Sequence, residues 1–261
     1  MNRKKEDFMK KLLFSMTAFL AVAFMSCEED KNARLEVWLT DAPARYEAVK
    51  VDVQGVEIHS NENDNDRGWQ SLNITPQIYD LLTLTNGEEA KLGDLELPGG
   101  RVSQIRLILG DNNTVVVDGT EHPLATPSAQ QSGLKLQLNQ VLSEGVTYKL
   151  VLDFDAARSI VETGDGTYSL KPVIRVFSEA TTGAIKGVVD PAGEVNITVK
   201  SGDEVVATTI SNEDGGFLIR GLGEGSYTVE FESPEGGTPV VKTIEVSVGE
   251  VADLGTVTLT E

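Results

Sequence analysis

Asp153 and Asp155 stand two apart in an alternating apolar run, and residues two apart on a strand share a face. Paired carboxylates between apolar neighbours (here Leu152, Phe154 and Ala156) are what glycoside hydrolysis uses, because such surroundings raise one pKa toward that of a general acid. Asp155 also suits the cap of a short helix beginning at Ala156, which accounts for it without catalysis. Nucleophilic catalysis needs a Ser or Cys with a base and an orienting acid, and the chain has no Gly-x-Ser-x-Gly elbow. Its two histidines, His59 at a strand end and His122 in a turn before Pro123, stand alone in sequence, so a zinc site built on histidine spacing is not expected. Gly221-Leu222-Gly223-Glu224-Gly225 lies between two strand-like runs and reads as a turn, not a phosphate loop. No catalytic residue is assigned, and the chain reads as non-enzymatic.

Two binding candidates remain. Asn61-Glu62-Asn63-Asp64-Asn65-Asp66-Arg67-Gly68 places Glu62, Asp64 and Asp66 at alternate positions before a glycine, a pattern of hard oxygen ligands that suits calcium. It lacks the twelve-residue EF-hand loop, and the same residues suit a solvated hairpin. Trp69 follows directly at a strand start and is the aromatic best placed to stack on a sugar. Trp38, between Val37 and Leu39, reads as core. Apart from calcium, no cofactor is implied.

Of 261 residues, 41 are acidic and 22 basic, a formal net charge of −19 that excludes nucleic-acid binding as the main task. One cysteine leaves no intrachain disulfide and no cysteine-rich metal site.

The elements that must position these residues are strands. Val146, Tyr148, Leu150, Leu152 and Phe154 alternate with more polar residues. So do Leu134, Leu136 and Leu138; Val195, Ile197 and Val199; and Tyr227, Val229 and Phe231. Period two in a chain with 29 valines argues half-buried strands. Val49, Val51 and Val53 are odd-numbered but Val56 and Ile58 even, which predicts a bulge at Gln54-Gly55. Only Ala156 to Glu162 reads as helix. Asp41 before Ala42-Pro43 reads as a turn cap, with Arg158 and Arg175 as ion partners for Asp41 and Asp155. The expected fold is all-β: two antiparallel β-sandwich domains in tandem, at 34–178 and 183–261, the first of eight to ten strands and the second of seven.

Residues 1–26 differ from the rest. Lys10 and Lys11 precede a 14-residue, mostly apolar run from Leu12 to Met25. At about 1.5 Å per residue that run reaches about 21 Å, short of a ~30 Å hydrocarbon core, so it reads as a signal peptide. Phe24-Met25-Ser26-Cys27 resembles the lipobox of bacterial lipoproteins, which implies acylation of Cys27 and a membrane anchor; an ordinary secretory signal is the alternative. Glu28-Glu29-Asp30-Lys31, in an acidic tether over 27–33, resembles the surface-export signal of Bacteroidota lipoproteins. Removal of 1–26 leaves 17 basic against 39 acidic residues, so anionic head groups repel the body and acyl chains must anchor it.

The C-terminal unit carries Gly183-Ala184-Ile185-Lys186-Gly187-Val188-Val189-Asp190, then Val195 to Val199, then Thr208 to Leu222 with Asp214-Gly215 in its middle, then Gly225 to Val229. These resemble the carboxypeptidase regulatory-like domain, a transthyretin-like sandwich classed with carbohydrate-binding-like folds. Pro191-Ala192-Gly193 is shorter than that family's usual first loop, so no binding property of the loop is carried over. Leu35-Glu36-Val37-Trp38-Leu39-Thr40-Asp41-Ala42-Pro43, Asp80 to Gly87, Leu152 to Val161 and Tyr168 to Val176 together resemble a domain of unknown function, number 4382, of envelope lipoproteins. That resemblance implies a location and no catalytic residue.

The expected function is a non-enzymatic binding or scaffolding lipoprotein at the outer membrane, on the cell surface or on the periplasmic face. Its partner is a glycan or an envelope protein. The alternative is a carbohydrate-binding lipoprotein of a glycan-uptake system; a hydrolase is less favoured. Glu6 and Asp7 are out of place in a basic leader, whereas Met9-Lys10-Lys11-Leu12 opens one cleanly. Intact-mass measurement of the precursor is expected to give a chain starting at Met9; a mass that includes residues 1–8 refutes this.

Overall fold

The computed structural model describes residues 32–60, 68–126, 133–164 and 166–259. Cys27, Glu62, Asp64 and Asp66 therefore lie outside the described residues. Asn32 to Glu261 form one compact unit.

In chain order the first half gives β1 (Asn32–Ala42), β2 (Ala48–Ser60), β3 (Trp69–Ser71), β4 (Gln77–Asp80), β5 (Ala90–Pro98), β6 (Gly100–Leu109), β7 (Thr114–Val117) and β8 (Thr120–Ala125). There follow β9 (Leu134–Leu142), β10 (Thr147–Asp155), the one-turn helix α1 (Ala156–Ser159), β11 (Ile160–Glu162), β12 (Tyr168–Leu170) and β13 (Ile174–Ser178). After a 3-10 turn at Glu179–Thr181 come β14 (Gly183–Asp190), β15 (Asn196–Ser201), β16 (Glu204–Ile210) and β17 (Gly216–Leu222). The last strands are β18 (Gly225–Glu232), β19 (Val240–Val246) and β20 (Val251–Thr258).

The N-terminal sandwich packs a four-stranded sheet, ordered β13-β10-β1-β5, on a larger one, ordered β11-β12-β8-β7-β2-β6-β9, whose β2 also pairs with β3 and β4. Leu35, Val37, Leu39, Leu150, Leu152 and Phe154 face Val51, Val53, Val56, Ile58, Ile105 and Leu107, all essentially sealed from solvent. Burying each such side chain contributes about 1.5–3 kcal/mol. The C-terminal sandwich packs β17-β14-β20 on β16-β15-β18-β19 around a second, separate apolar cluster, with Phe217 edge-on to Phe231 at 5.5 Å.

Alternation located these strands but not their directions. β1 pairs parallel to β10, and β14 parallel to β20, inside sheets whose other ladders are mostly antiparallel. Pairing direction leaves no trace in which residues are apolar. The bulge on β2 is present: Val53 faces Leu109 and Gly55 faces Ile108, so Gln54 is the extra residue and stands exposed.

Three expectations change. The helix stops at Ser159, because Ile160 and Val161 leave it to pair with Leu170 and Ser169; β-branched residues favour that strand. Trp38 is outside the core: Val37 and Leu39 take the inner side of β1, so Trp38, one residue off, lies half-buried beside Glu36 and Lys149. His122 sits within β8, opposite Val115, not in a turn.

Two glycines are required by geometry. Gly215 closes the β16–β17 turn at φ +80°, where an added Cβ meets the Val189 carbonyl oxygen. Gly221 has φ +74°, and a Cβ there runs into the ring of Phe177 on β13, the strand that faces it from the other sandwich. Gly221→Ala therefore combines backbone strain with a clash at the joint. It is expected to lower stability by about 2 kcal/mol or more in denaturant titration, whereas Gly223→Ala, at a roomier site, is expected to change it by less than half as much.

Candidate functional site: the joint and the outer face around Trp69

The parallel register of β1 and β10 sets Asp41 opposite Phe154 and Ala42 opposite Asp155, so two carboxylates arrive at the same sheet end. Both cap α1. Asp155 Oδ1 accepts from the Arg158 N–H at 2.9 Å, and Asp41 Oδ1 accepts from the Ala156 N–H at 3.0 Å. The Asp155 cap is as read from sequence. Asp41 caps a helix 115 residues away, not a turn of its own.

Arg158 lies 3.8 Å from Asp155, the expected pair, but Arg175 binds Asp153. Arg175 also donates to the carbonyls of Val206 and Arg220, both in the C-terminal sandwich. Thr208 from β16 donates to Asp155 Oδ2 at 2.8 Å. Asp153 Oδ2 and both oxygens of Asp155 are thus engaged in ion pairing, helix capping and the joint. They do not form the open carboxylate pair that hydrolysis requires.

Arg220 on β17 completes the joint. Its Nη1 lies 2.6 Å from Glu89 and 3.1 Å from Glu179, and Lys149 bridges the same two glutamates at 2.5 and 3.1 Å. Nothing in the sequence groups these four residues, because their partners lie 30 to 131 positions away. Between the sandwiches lie a cavity of about 30 Å³, lined by Asp41, Asp153 and Arg175, and an open cleft of about 210 Å³, lined by Asp155, Arg158 and Thr198. Among the described residues, no cluster of three or more His, Cys, Asp or Glu can hold a metal.

Asp41 is 5% exposed, and its Oδ2 has no hydrogen-bond partner. Burial pushes its carboxyl well above the usual range, the hydrogen bond from Ala156 opposes this, and the charges of Asp153 and Asp155 add to the rise. Burial also raises Asp153, while Arg175 pulls it partly back.

Trp69 lies on the outer side of the larger sheet, half-buried. Cross-strand register sets Trp69, His59, Gln104 and Gln137 in one row, and Ser71, Glu57, Arg106 and Lys135 in the next. The Arg106 guanidinium lies 3.9 Å over the indole, Lys135 Nζ is 5.9 Å from its centre, and the His59 ring meets it edge-on at 5.1 Å. His59 is further held by Ser103 Oγ at 3.0 Å, and Arg106 by Glu57 at 2.6 Å. The sequence singled out Trp69 but not Arg106 or Lys135; the only signal for them was their outward phase on β6 and β9.

A group whose folded pKa is raised adds stability that is complete below its unfolded pKa and is lost as pH rises through the folded value. Asp41→Asn keeps the acceptor for Ala156 and cannot ionise. The variant is expected to be more stable than the parent at pH 8 by about 1 kcal/mol or more, and to lose that advantage below about pH 4. Thermal melts across this range measure it; an advantage independent of pH counts against a buried, ionising Asp41.

Among curated proteins, the chain is 44% identical over 50 residues to the Bone sialoprotein-binding protein and to Serine-aspartate repeat-containing protein E, both of Staphylococcus aureus. The match covers 19% of this chain and about 4% of the length of either relative. Among solved structures, the Bacillus anthracis TIE protein aligns over 87% of this chain and 34% of its own, at 12% identity and a TM-score of 0.26. The minor pilin of Streptococcus agalactiae aligns over 85% and 94%, at 10% identity and a TM-score of 0.23. Scores that low carry no functional argument. Among the described residues, no helix is long and apolar enough to cross a membrane. The carboxypeptidase regulatory-like domain family matches residues 184–260. With residues 32–172, more than half its length, matching the family described as Domain of unknown function (DUF4382), the chain belongs to that family.

Proposed function

We propose that the chain is a non-enzymatic lipoprotein of the outer membrane that acts as a binding or scaffolding module, anchored through Cys27 and exposed on the cell surface. One observation carries the non-enzymatic part. Asp41, Asp153, Asp155, Glu89, Arg175 and Arg220, the ionisable groups gathered at the joint, are used to cap α1 and to lock the two sandwiches together. The polar sheet face around Trp69 is left facing outward. The lipid anchor rests on the lipobox-like Ser26-Cys27 after an apolar run. Calcium at Glu62, Asp64 and Asp66 is part of the same proposal.

The second reading, a carbohydrate-binding lipoprotein of a glycan-uptake system, is favoured by Trp69 standing among the amides of Gln104 and Gln137.

Metabolic labelling with a palmitate analogue, followed by protease shaving of intact cells, tests anchor and location together. The parent is expected to take up label and to be cleaved on whole cells. Cys27→Ser is expected to lose the label and appear in the soluble fraction; equal labelling of both chains refutes the anchor. Crosslinking on intact cells is expected to capture a reproducible envelope partner or glycan, and loss of label from the partner with Trp69→Ala favours the second reading.

A further inference from the structure

We propose that the outer face of β3-β2-β6-β9 binds an acidic glycan, a polysaccharide bearing uronate or sulfate groups. This rests on the reading of the chain as a binding module and names its ligand class.

The first argument is local charge. The chain carries nearly two acids for each base, 41 against 22. Among the described residues of this face Arg101, Arg106 and Lys135 stand against Glu57 and, further along β2, Asp52, whose carboxylate is buried and bonded to Asn112 and Gln54. Glu57 is taken up by Arg106, at 2.6 Å. Arg101 and Lys135 are exposed, and neither has an acidic partner among the described residues; Arg101 donates to Asn139 at 2.6 Å and Lys135 lies by the Trp69 ring. Two cations with no acidic partner among the described residues share one sheet face with a third, Arg101 at one end of β6 and Arg106 with Lys135 further along, and on a strongly negative body they attract an anion locally.

The second argument is the state of Trp69. A neutral sugar stacks on an open indole face, but here a guanidinium already lies across the ring. Trp69 is therefore a positioning residue: its ring and Glu57 hold Arg106 in place, and the ligand meets cations where a bare aromatic would otherwise be. Gln104 and Gln137 continue the row beside them on strands about 4.8 Å apart, and their amides both donate and accept, as hydroxyl recognition needs.

The third argument concerns charge density. A double-stranded nucleic acid carries one charge per about 1.7 Å of its axis and meets the repulsion of the whole chain. A glycan with one charge per sugar or fewer engages three cations with less of that penalty.

The test uses the purified full-length chain against immobilised polygalacturonate and a sulfated glycan, with a neutral glucan, polyglutamate and single-stranded DNA as comparison probes. Saturable binding to an acidic glycan is expected, weakened at least tenfold by Lys135→Glu and by Arg101→Glu, both at exposed positions. Lys242→Glu makes the same change in net charge on β19 and is expected to leave affinity within twofold. Trp69→Phe is expected to weaken binding less than Lys135→Glu does. Binding is also expected to fall as salt rises from 50 to 500 mM, because exposed charges are screened. Equal loss with Lys242→Glu, equal binding to the neutral glucan, or equal binding to polyglutamate or DNA overturns the proposal. Absence of any acidic-glycan binding overturns it too, and leaves the wider reading to the separate crosslinking experiment.

Discussion

Arg220 projects from the C-terminal sandwich into acceptors that belong to the N-terminal sandwich and to the link between the two. Glu89 immediately precedes β5, Glu179 lies in the link, and Thr40 is on β1, with its Oγ 3.5 Å from Nη2. Arg175 makes the reverse reach, from β13 to the carbonyls of Val206 and Arg220. A half-buried guanidinium such as either of these is costly to leave without its partners. Two of them crossing one interface in opposite directions therefore make the relative placement of the domains specific. Apolar contact alone, such as Phe177 against Gly221, tolerates sliding; a planar fork bonded to a carboxylate on one side and carbonyls on the other does not.

The joint depends in turn on the parallel pairing of β1 with β10. That pairing ends both strands at the same sheet edge, which brings Asp41 and Asp155 to the single turn of α1. With α1 fixed, Asp155 can hold Thr208 and Asp153 can hold Arg175. The raised carboxyl of Asp41 follows from this arrangement: three aspartates share one buried end, and the most enclosed of them bears the electrostatic cost. Carboxylates that resemble a catalytic pair in sequence are here the means by which one β-sandwich is attached to another.

How far the sequence spoke depended on the range of the interaction. Alternation of Tyr148, Leu150, Leu152 and Phe154 is a local consequence of burying one strand face, and so it was legible; the switch of phase between Val53 and Val56 even located the bulge. Asp155 was legible as a cap because it bonds only three residues ahead. Asp41 was not, because its partner Ala156 is fixed by strand pairing across 115 positions. Trp38 was misplaced by treating a large apolar residue as core when its neighbours Val37 and Leu39 already defined the inner face. Arg106, Lys135, Glu89 and Arg220 carried no local signal. A charged residue at an outward position looks the same whether it faces solvent, another domain or a ligand.

The same distinction separates the two polar regions of the molecule. At the joint, most acceptors and donors are matched across two chain segments, with Asp41 Oδ2 left over, and the Glu89 side chain is 9% exposed. On the sheet face around Trp69, Arg106 has an acidic partner in Glu57 and an aromatic one in Trp69, whereas Lys135 and Arg101 have no acidic partner among the described residues. In an acidic chain, unpaired bases on a rigid sheet are placed against the prevailing field. Their positions are fixed by backbone register to neighbouring rows, so a ligand would meet them with little further ordering of the backbone. That preorganisation separates this face from the loops, and places any specificity in the pattern of β2, β6 and β9.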